Sequence, residues 1–365
     1  MDATKGAVEV SVIVPARDEE ANLANCLQSL VEQQGVSCDV IVVDDHSSDR
    51  TREIAQSFPV QVIEADPLPA GWSGKCNACW SGAKVATGKW LLFTDADTRH
   101  SPTSIASGLR EAEEHGAALL SFSPKQEVHS LAERALMPVI FAELAVTFRP
   151  REVSDPASPV AAANGQYLLI RRDAYDAVGG HAAVAQATLD DVELARKVKS
   201  AGYRLQFRVS DVVSTRMYRS FPQMWEGWTK NLVLLFPNAR GLALRRGIEF
   251  ALIVASLIAV VVALLDRDRT GVLVNGVVAF GLLVFFYQRI QRAHFDRLSN
   301  ASAIFGLPLF TVLLVRSYLA HRRGSIQWKG RRYATDTASV VPANCRSLDS
   351  SSACGGFVAR DDTSN

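Results

Sequence analysis

Three apolar runs after residue 246 constrain this chain more than any other feature. Residues 247–265 carry one charge, Glu249 near the start. Residues 271–287 carry none, and residues 301–320 carry only Arg316 near the end. A helix needs about 20 mainly apolar residues to cross the hydrocarbon core of a bilayer, and each run approaches that length, the second marginally. Buried core helices are the other home for such runs, but three in succession are hard to hide in a soluble domain. The 365 residues are 48% hydrophobic, and the excess sits in this section. The expected organisation is a domain over 1–240, a membrane section over 241–322 and a tail over 323–365 that is first basic and then flexible.

Charge sets the expected orientation. Arg240, Arg245 and Arg246 precede the first run, and Arg289, Arg292 and Arg297 separate the second from the third. Both clusters favour the cytoplasmic side, so a multi-pass protein of a bacterial-type inner membrane with a cytoplasmic first domain is expected. Residues 1–9 are polar and lead directly into a strand, without the apolar stretch of a signal peptide. The tail conflicts with this count. Three crossings would carry it outward, whereas Arg322, Arg323, Lys329, Arg331 and Arg332 favour the inside. Either 271–287 or the run with Arg316 is then re-entrant or interfacial, and the sequence leaves both open.

Formal net charge is +1, from 39 Lys and Arg against 38 Asp and Glu. A nucleic-acid partner would ask for a clustered basic face, and none is present. Six cysteines give no disulfide framework. Cys76 and Cys79 have the spacing of half a zinc site, but no second Cys or His pair answers them, so they read as small apolar thiols at a helix start. Cys26 and Cys38 fall in the first domain, and Cys345 and Cys354 in a Ser-rich tail.

Before the membrane section, strand and helix alternate. Strands are expected at 8–14, 40–43, 60–63, 90–94 and 166–170, and helices at 19–34, after Ser48, and at 77–86, 189–200 and 222–236. Short polar connections join them, the pattern of a parallel sheet covered by helices, with nucleotide chemistry at the carboxyl ends of its strands. An amphipathic helix over 130–149 suits either the core or the membrane surface. No G-x-G-x-x-G follows a strand. Gly71-Trp72-Ser73-Gly74-Lys75 only superficially resembles a phosphate loop, since Pro69 and Cys76 break that pattern at both ends.

The run at 90–94 ends in Asp95-Ala96-Asp97. If strand geometry continues, both carboxylates project the same way, and hard oxygens so placed suit Mg²⁺ or Mn²⁺ bridging phosphates. Alone, the pair is as readily a solvated acidic turn. Three further clusters accompany it: Ala16-Arg17-Asp18-Glu19, Asp44-Asp45-His46-Ser47-Ser48-Asp49 and Asp190-Asp191. In this order, with a membrane section behind them, residues 8–240 resemble the family 2 inverting glycosyltransferases of the GT-A fold. Gly71–Lys75, Ala163-Asn164-Gly165-Gln166-Tyr167, Gly179-Gly180-His181 and Trp225-Glu226-Gly227-Trp228-Thr229-Lys230-Asn231 resemble its membrane-bound branch, which includes hopene-associated, carotenoid-acid and ceramide glycosyltransferases.

The resemblance implies an α/β fold with a mostly parallel GT-A sheet. It implies Pro15, Arg17, Glu19 and Asp45 around the base and ribose of a nucleotide-sugar donor, a UDP-hexose in the first instance. Lys75 then lies near the nucleotide or its phosphates, Asp95 at the ribose or metal, and Asp97 on a Mg²⁺ or Mn²⁺ that bridges the diphosphate. Asp191 matches the general base, although acids in a first helical turn are favoured by the macrodipole without catalysis. Asp190, His181, Trp228 and Lys230 are acceptor-side candidates; for His181 a structural role stays equally open. Many processive or lipid-directed relatives carry Gln-x-x-Arg-Trp in the helix before the membrane. Here the stretch is Gln223-Met224-Trp225-Glu226-Gly227-Trp228, without that arginine. Trp228 is expected to wall the acceptor site and Lys230 to replace the missing charge. A single transfer to a membrane lipid alcohol or acid is thereby favoured over a polymer. The alternatives are a polyprenyl-phosphate acceptor and a membrane-tethered sugar-nucleotide module without catalysis.

Overall fold

The computed structural model of the protein describes residues 8–236, 238–324, 326–328 and 331–333. Lys329 and the expected flexible tail with Cys345 and Cys354 lie outside the described residues.

The fold is built on β1 (Val10–Ala16). After it come α1 (Leu23–Val31), β2 (Cys38–Asp44), α2 (Thr51–Gln56), β3 (Gln61–Glu64), α3 (Gly74–Val85) and β4 (Trp90–Phe93). β1 pairs in parallel with β2 on one side and β4 on the other, and β2 pairs in parallel with β3. Strand side chains alternate between faces, so these runs of apolar residues supply two cores at once. Val12, Val14, Val42 and Leu92 pack under α1 and α2 together with Leu23, Leu27 and Ala55. Ile13, Ile41, Leu91 and Phe93 face the other way, against Ala78, Cys79 and Ala83 of α3. Cys76 and Cys79 are buried free thiols on that helix.

Beyond β4 the sheet changes direction. The elements that follow are β5 (Thr98–His100), α4 (Ser104–Glu114), β6 (Leu119–Gln126), α5 (Leu131–Thr147), α6 (Pro150–Ser154) and β7 (Leu168–Arg171). Then come α7 (Arg172–Ala177), α8 (Asp190–Ser200), β8 (Leu205–Thr215) and α9 (Phe221–Leu235). β7 runs antiparallel to both β4 and β6, β6 and β8 pair in parallel, and β5 closes the edge antiparallel to β8. The eight-stranded order is β3-β2-β1-β4-β7-β6-β8-β5. The sheet is therefore parallel in its first half and mixed in its second. An apolar run such as 166–170 carries no sign of its direction, so the sequence reading could not register the reversal.

Three long helices follow, α10 (Ala239–Leu265), α11 (Arg269–Ile290) and α12 (Arg297–Arg322), and a short antiparallel pair of strands, Ile326–Trp328 and Arg331–Tyr333, ends the described chain. Each of the three helices is long and apolar enough to cross a membrane. They meet α5 and α9 in a third apolar cluster, which holds Leu136, Ile140, Trp228, Leu232, Phe286, Leu307 and Phe310.

Charges are locked into this junction. Glu143 of α5 is 3% exposed and Arg289 of α11 is 6% exposed. Arg246 of α10 donates to Glu249 at 2.8 Å and to Glu143 at 3.1 Å, and Arg289 donates to Glu249 at 2.9 Å. Arg289 Nε also lies 3.1 Å from Glu143 Oε1. Two arginines and two glutamates thus form a closed, neutral ring that ties three helices together. Removing one member strands a buried charge, which costs about 3–5 kcal/mol. Glu143→Leu is therefore expected to lower the melting temperature of the detergent-solubilised protein by several degrees, whereas exposed Glu114→Leu leaves it in place; differential scanning fluorimetry of both checks this.

Candidate active site

The carboxyl ends of β1 and β2 carry loops that clasp each other. Asp18 accepts from Ser48 through both the backbone N–H, at 2.8 Å, and the hydroxyl, at 3.0 Å. The Glu19 N–H donates to Thr51 Oγ1 at 2.7 Å, and the Glu20 N–H to Asp49 at 3.0 Å. Asp18 takes a left-handed φ of 51°, which a short polar side chain tolerates. This clasp delays α1 until Leu23, four residues after the helix start expected at 19. Behind it Asp45 is 4% exposed, with Arg17 Nη1 at 3.7 Å. Burial pushes the Asp45 carboxyl up, and Arg17 opposes the shift. Glu19 accepts from Asn22 at 2.8 Å at the rim of the same edge.

Next to the clasp, one small cavity gathers Pro15, Lys75, Asp95, His181, Asp190 and Asp191. The Gly71–Lys75 stretch proves to be a helix start. Ser73 caps α3 by accepting from the Cys76 N–H at 3.1 Å, which sends Lys75 from the first turn toward the sheet. Lys75 Nζ lies 2.6 Å from Asp95 Oδ1. Burial alone would lower Lys75, but Asp95, Asp190 and Asp191 outweigh it and hold the ammonium well above the usual lysine range.

Asp191, in the first turn of α8, is fixed by two backbone donors: Gly165 N–H to one oxygen at 2.8 Å and Val192 N–H to the other at 2.8 Å. Burial first, and then the charge of Asp190, push its carboxyl up to about 6, against the pull of Lys75 and of the two N–H groups. Gly165 makes this convergence possible. A Cβ there would stand 2.8 Å from Lys75 Nζ and 3.5 Å from Asp191 Oδ2.

His181 is 2% exposed and held by Tyr175. Its backbone N–H donates to the Tyr175 hydroxyl at 3.1 Å, and that hydroxyl lies 3.0 Å from Nδ1. The donor of that contact follows from the imidazole tautomer, and Nε2 lies 3.9 Å from Asp190 Oδ2. Burial pulls the imidazole down to about 4, so it is neutral at physiological pH.

On α9, residues two apart point to nearly opposite sides of the helix. Lys230 falls under the influence of Asp190, Asp191 and Asp95, although burial lowers it on balance. Trp228 goes the other way. It is 2% exposed, with its ring against Tyr218 and Phe141 in the junction cluster. The cavity is not lined by Trp228.

The acidic pair after β4 also departs from the expected geometry. The strand ends at Phe93, and Asp95-Ala96-Asp97 form a turn closed by Thr98 Oγ1 on the Asp95 carbonyl at 2.8 Å. Strand alternation therefore does not govern the pair. Among the described residues no three His, Cys, Asp or Glu gather into a metal site. Two adjacent carboxylates still fit a Mg²⁺-type ion, which is commonly held by one or two carboxylates and completed by substrate phosphates and water.

Several functional neighbours escaped the sequence reading. Thr94 Oγ1 lies 2.9 Å from Thr98 Oγ1 and donates to the Gln166 carbonyl at 2.8 Å, which ties the turn to the residues just before β7. Tyr175, which orients His181, carried no pattern of its own. Gly165 lay inside a quoted motif, but only the packing shows what it spaces apart.

With this geometry in hand, comparison with known proteins is informative. Residues 11–179 match the family Glycosyl transferase family 2. The protein is a glycosyltransferase, and this stretch is its family 2 domain. A curated relative, the 4,4'-diaponeurosporenoate glycosyltransferase of Staphylococcus aureus (strain USA300), is 27% identical over 340 residues, covering 89% of this chain and 88% of that protein. The corresponding protein of strain MRSA252 is 26% identical over 337 residues, covering 89% of this chain and 88% of its own. Among solved structures, a mannosyltransferase from Pyrobaculum calidifontis in complex with GDP-Man and Mn²⁺ superposes with a TM-score of 0.51 at 16% identity, covering 88% of this chain and 89% of that one. This likeness establishes a shared GT-A fold.

Because Gly165 separates Lys75 from Asp191, Gly165→Ala is expected to fold normally yet lose about a hundredfold in kcat/KM, the scale of a misplacement near 1 Å. Steady-state kinetics beside a melting curve checks both halves; wild-type kinetics would remove the convergence from the site's function.

Proposed function

We propose that this protein transfers a hexose from a nucleotide-sugar, a UDP-hexose in the first instance, to a membrane lipid with inversion at the anomeric carbon. The observation that carries the reading is the meeting of Asp191, Lys75 and Asp95 in one cavity at the carboxyl ends of the sheet. Residues 1–240 form the cytoplasmic catalytic domain in this reading, and 241–322 hold it to the membrane.

The nucleotide lies across the ends of β1 and β2, with Pro15, Arg17, Glu19 and Asp45 around its base and ribose. Lys75 sits beside the diphosphate. Asp97 and Asp95 would hold a Mg²⁺ or Mn²⁺ ion, which would supply positive charge against the diphosphate. Phosphate oxygens arriving near Lys75 offer it a second anion, so its pairing with Asp95 loosens when donor binds. Asp191 takes the proton of an acceptor hydroxyl while that oxygen attacks from the face opposite the nucleotide. Its raised pKa suits this task, because a carboxylate near 6 accepts a proton more readily than one near 4. His181, neutral and fixed by Tyr175, and Lys230 form the acceptor side with Asp190. The S. aureus relative is named for a carotenoid acid, which supports an acceptor with a long apolar body.

Donor hydrolysis and donor binding against a panel of UDP- and GDP-sugars, with Mn²⁺, Mg²⁺ or EDTA, test the class. Metal-dependent turnover or binding of one donor is expected, and absence of both would refute it. Acceptor trials with hydroxylated and carboxylated terpenoids beside polyprenyl phosphate then separate the acceptor classes. Asp191→Asn is expected to keep donor binding by calorimetry and lose about a hundredfold or more in kcat.

The pH profile follows from the sign of the Asp191 shift. Catalysis needs the ionised form, so with a hydroxyl acceptor kcat is flat above about 6 and falls about tenfold per unit below it. A carboxylate acceptor needs no base, and its profile would run flat through that region.

A further inference from the structure

The three long helices are not equivalent. In their most apolar stretches α10 is 17% buried and α11 is 11% buried, but α12 is 39% buried. Buried positions on α12 run nearly its full length, from Ser299 through Ala303, Leu307, Phe310 and Leu314 to His321. It packs on α5 and α9 of the domain beneath and on α10 beside it. A Cβ on Gly306 would stand 1.9 Å from the Ala135 carbonyl oxygen, so α12 is pressed onto the backbone of α5. Ser317 Oγ accepts from the Val233 N–H of α9 at 3.0 Å, and the Arg316 guanidinium lies over the Trp225 ring. α12 leaves an apolar face exposed: Leu298, Phe305, Val312 and Leu319 at a spacing of seven, with Val315 beside them.

α10 and α11 show the opposite pattern. They pack on each other and expose large apolar side chains on their outer surfaces, among them Leu252, Ile258, Val261, Val277 and Phe280. Charge marks both ends of the pair. At the root stands the closed ring of Glu143, Arg246, Glu249 and Arg289; at the tip stand Asp266, Arg267, Asp268 and Arg269. From Glu249 to Asp266 is roughly 26 Å of helix, and from Arg269 to Arg289 about 30 Å, each close to the hydrocarbon thickness of a bilayer.

We propose that only the α10–α11 hairpin crosses the bilayer, while α12 lies in the interface with its Leu298-Phe305-Val312-Leu319 stripe in the acyl boundary. Apolar faces of this kind, flanked by Trp and Arg anchors, hold helices in the plane of a membrane rather than across it. Two crossings return the chain to its starting side. The tail, beginning with Arg322 and Arg323, then shares the side of the catalytic domain, as its basic residues favour. Of the two open readings, the interfacial segment is the one that contains Arg316. This inference rests on the helices alone and is independent of donor and acceptor.

The test uses the full chain in sealed inverted inner-membrane vesicles. A site-specific protease sequence is inserted between Arg267 and Asp268 in one variant and after Gly324 in another; proteinase K digestion of the catalytic domain in parallel marks its side. The Gly324 site is expected to be cut together with the catalytic domain, and the Arg267 site to resist until detergent opens the vesicles. Protection of the Gly324 site on the side opposite the domain would mean that α12 crosses, and cutting of the Arg267 site from the domain's side would mean that the hairpin does not. Either overturns the proposal. Should an insertion block integration, Arg267→Cys and Arg323→Cys labelled with an impermeant maleimide, and mapped peptide by peptide, give the same readout.

Discussion

The pairing of β1 with β2 and β4 is the constraint on which the rest depends. Because all three strands run the same way, their carboxyl ends open on one edge, and every loop that follows them is delivered there. The loop after β1 interlocks with the loop after β2 through Asp18, Glu20, Ser48 and Asp49. The turn after β4 brings Asp95 within reach of Lys75. No single residue of this edge is unusual. Parallel registration turns scattered short motifs into one surface, and burial of Val12, Ile13, Val42 and Leu91 on both faces makes the registration hard to shift.

Charge at that edge is balanced rather than merely acidic. Asp95, Asp190 and Asp191 face Lys75 and Lys230, and the same burial acts in opposite directions on the two kinds of group. Lys75 stays ionised because three carboxylates surround it. Asp191 is left with a raised affinity for protons because it is buried and Asp190 is its neighbour. The neutral His181, fixed by Tyr175, adds polarity without adding charge. An anion entering such a site would meet a cation already held in place by its carboxylate partner, with little reorganisation left to perform.

Much of this was legible in the residues. Apolar runs ending in acids gave β1, β2 and β4 and the loops behind them, and Asp191 was marked by its place in an ordered set. Local pattern failed where long-range packing decides. β6 and β8 pair across some 85 residues through a bulge after Pro124, and neither their direction nor that of β7 leaves a trace in composition. Asp95 and Asp97 looked like strand residues because Trp90–Phe93 precedes them, but the Thr94–Thr98 hydroxyl network bends the chain first. Trp228 and Lys230 stood side by side in a motif, yet helical geometry sends them to different environments.

The ring of Glu143, Arg246, Glu249 and Arg289 has a consequence for how such a chain changes over time. Its four members come from three helices and cancel each other's charge in a largely buried place. A change at any one of them is harmful by itself, and a swap that restores neutrality needs a second change at the same moment. The four positions are therefore coupled, so that what one of them tolerates depends on the other three.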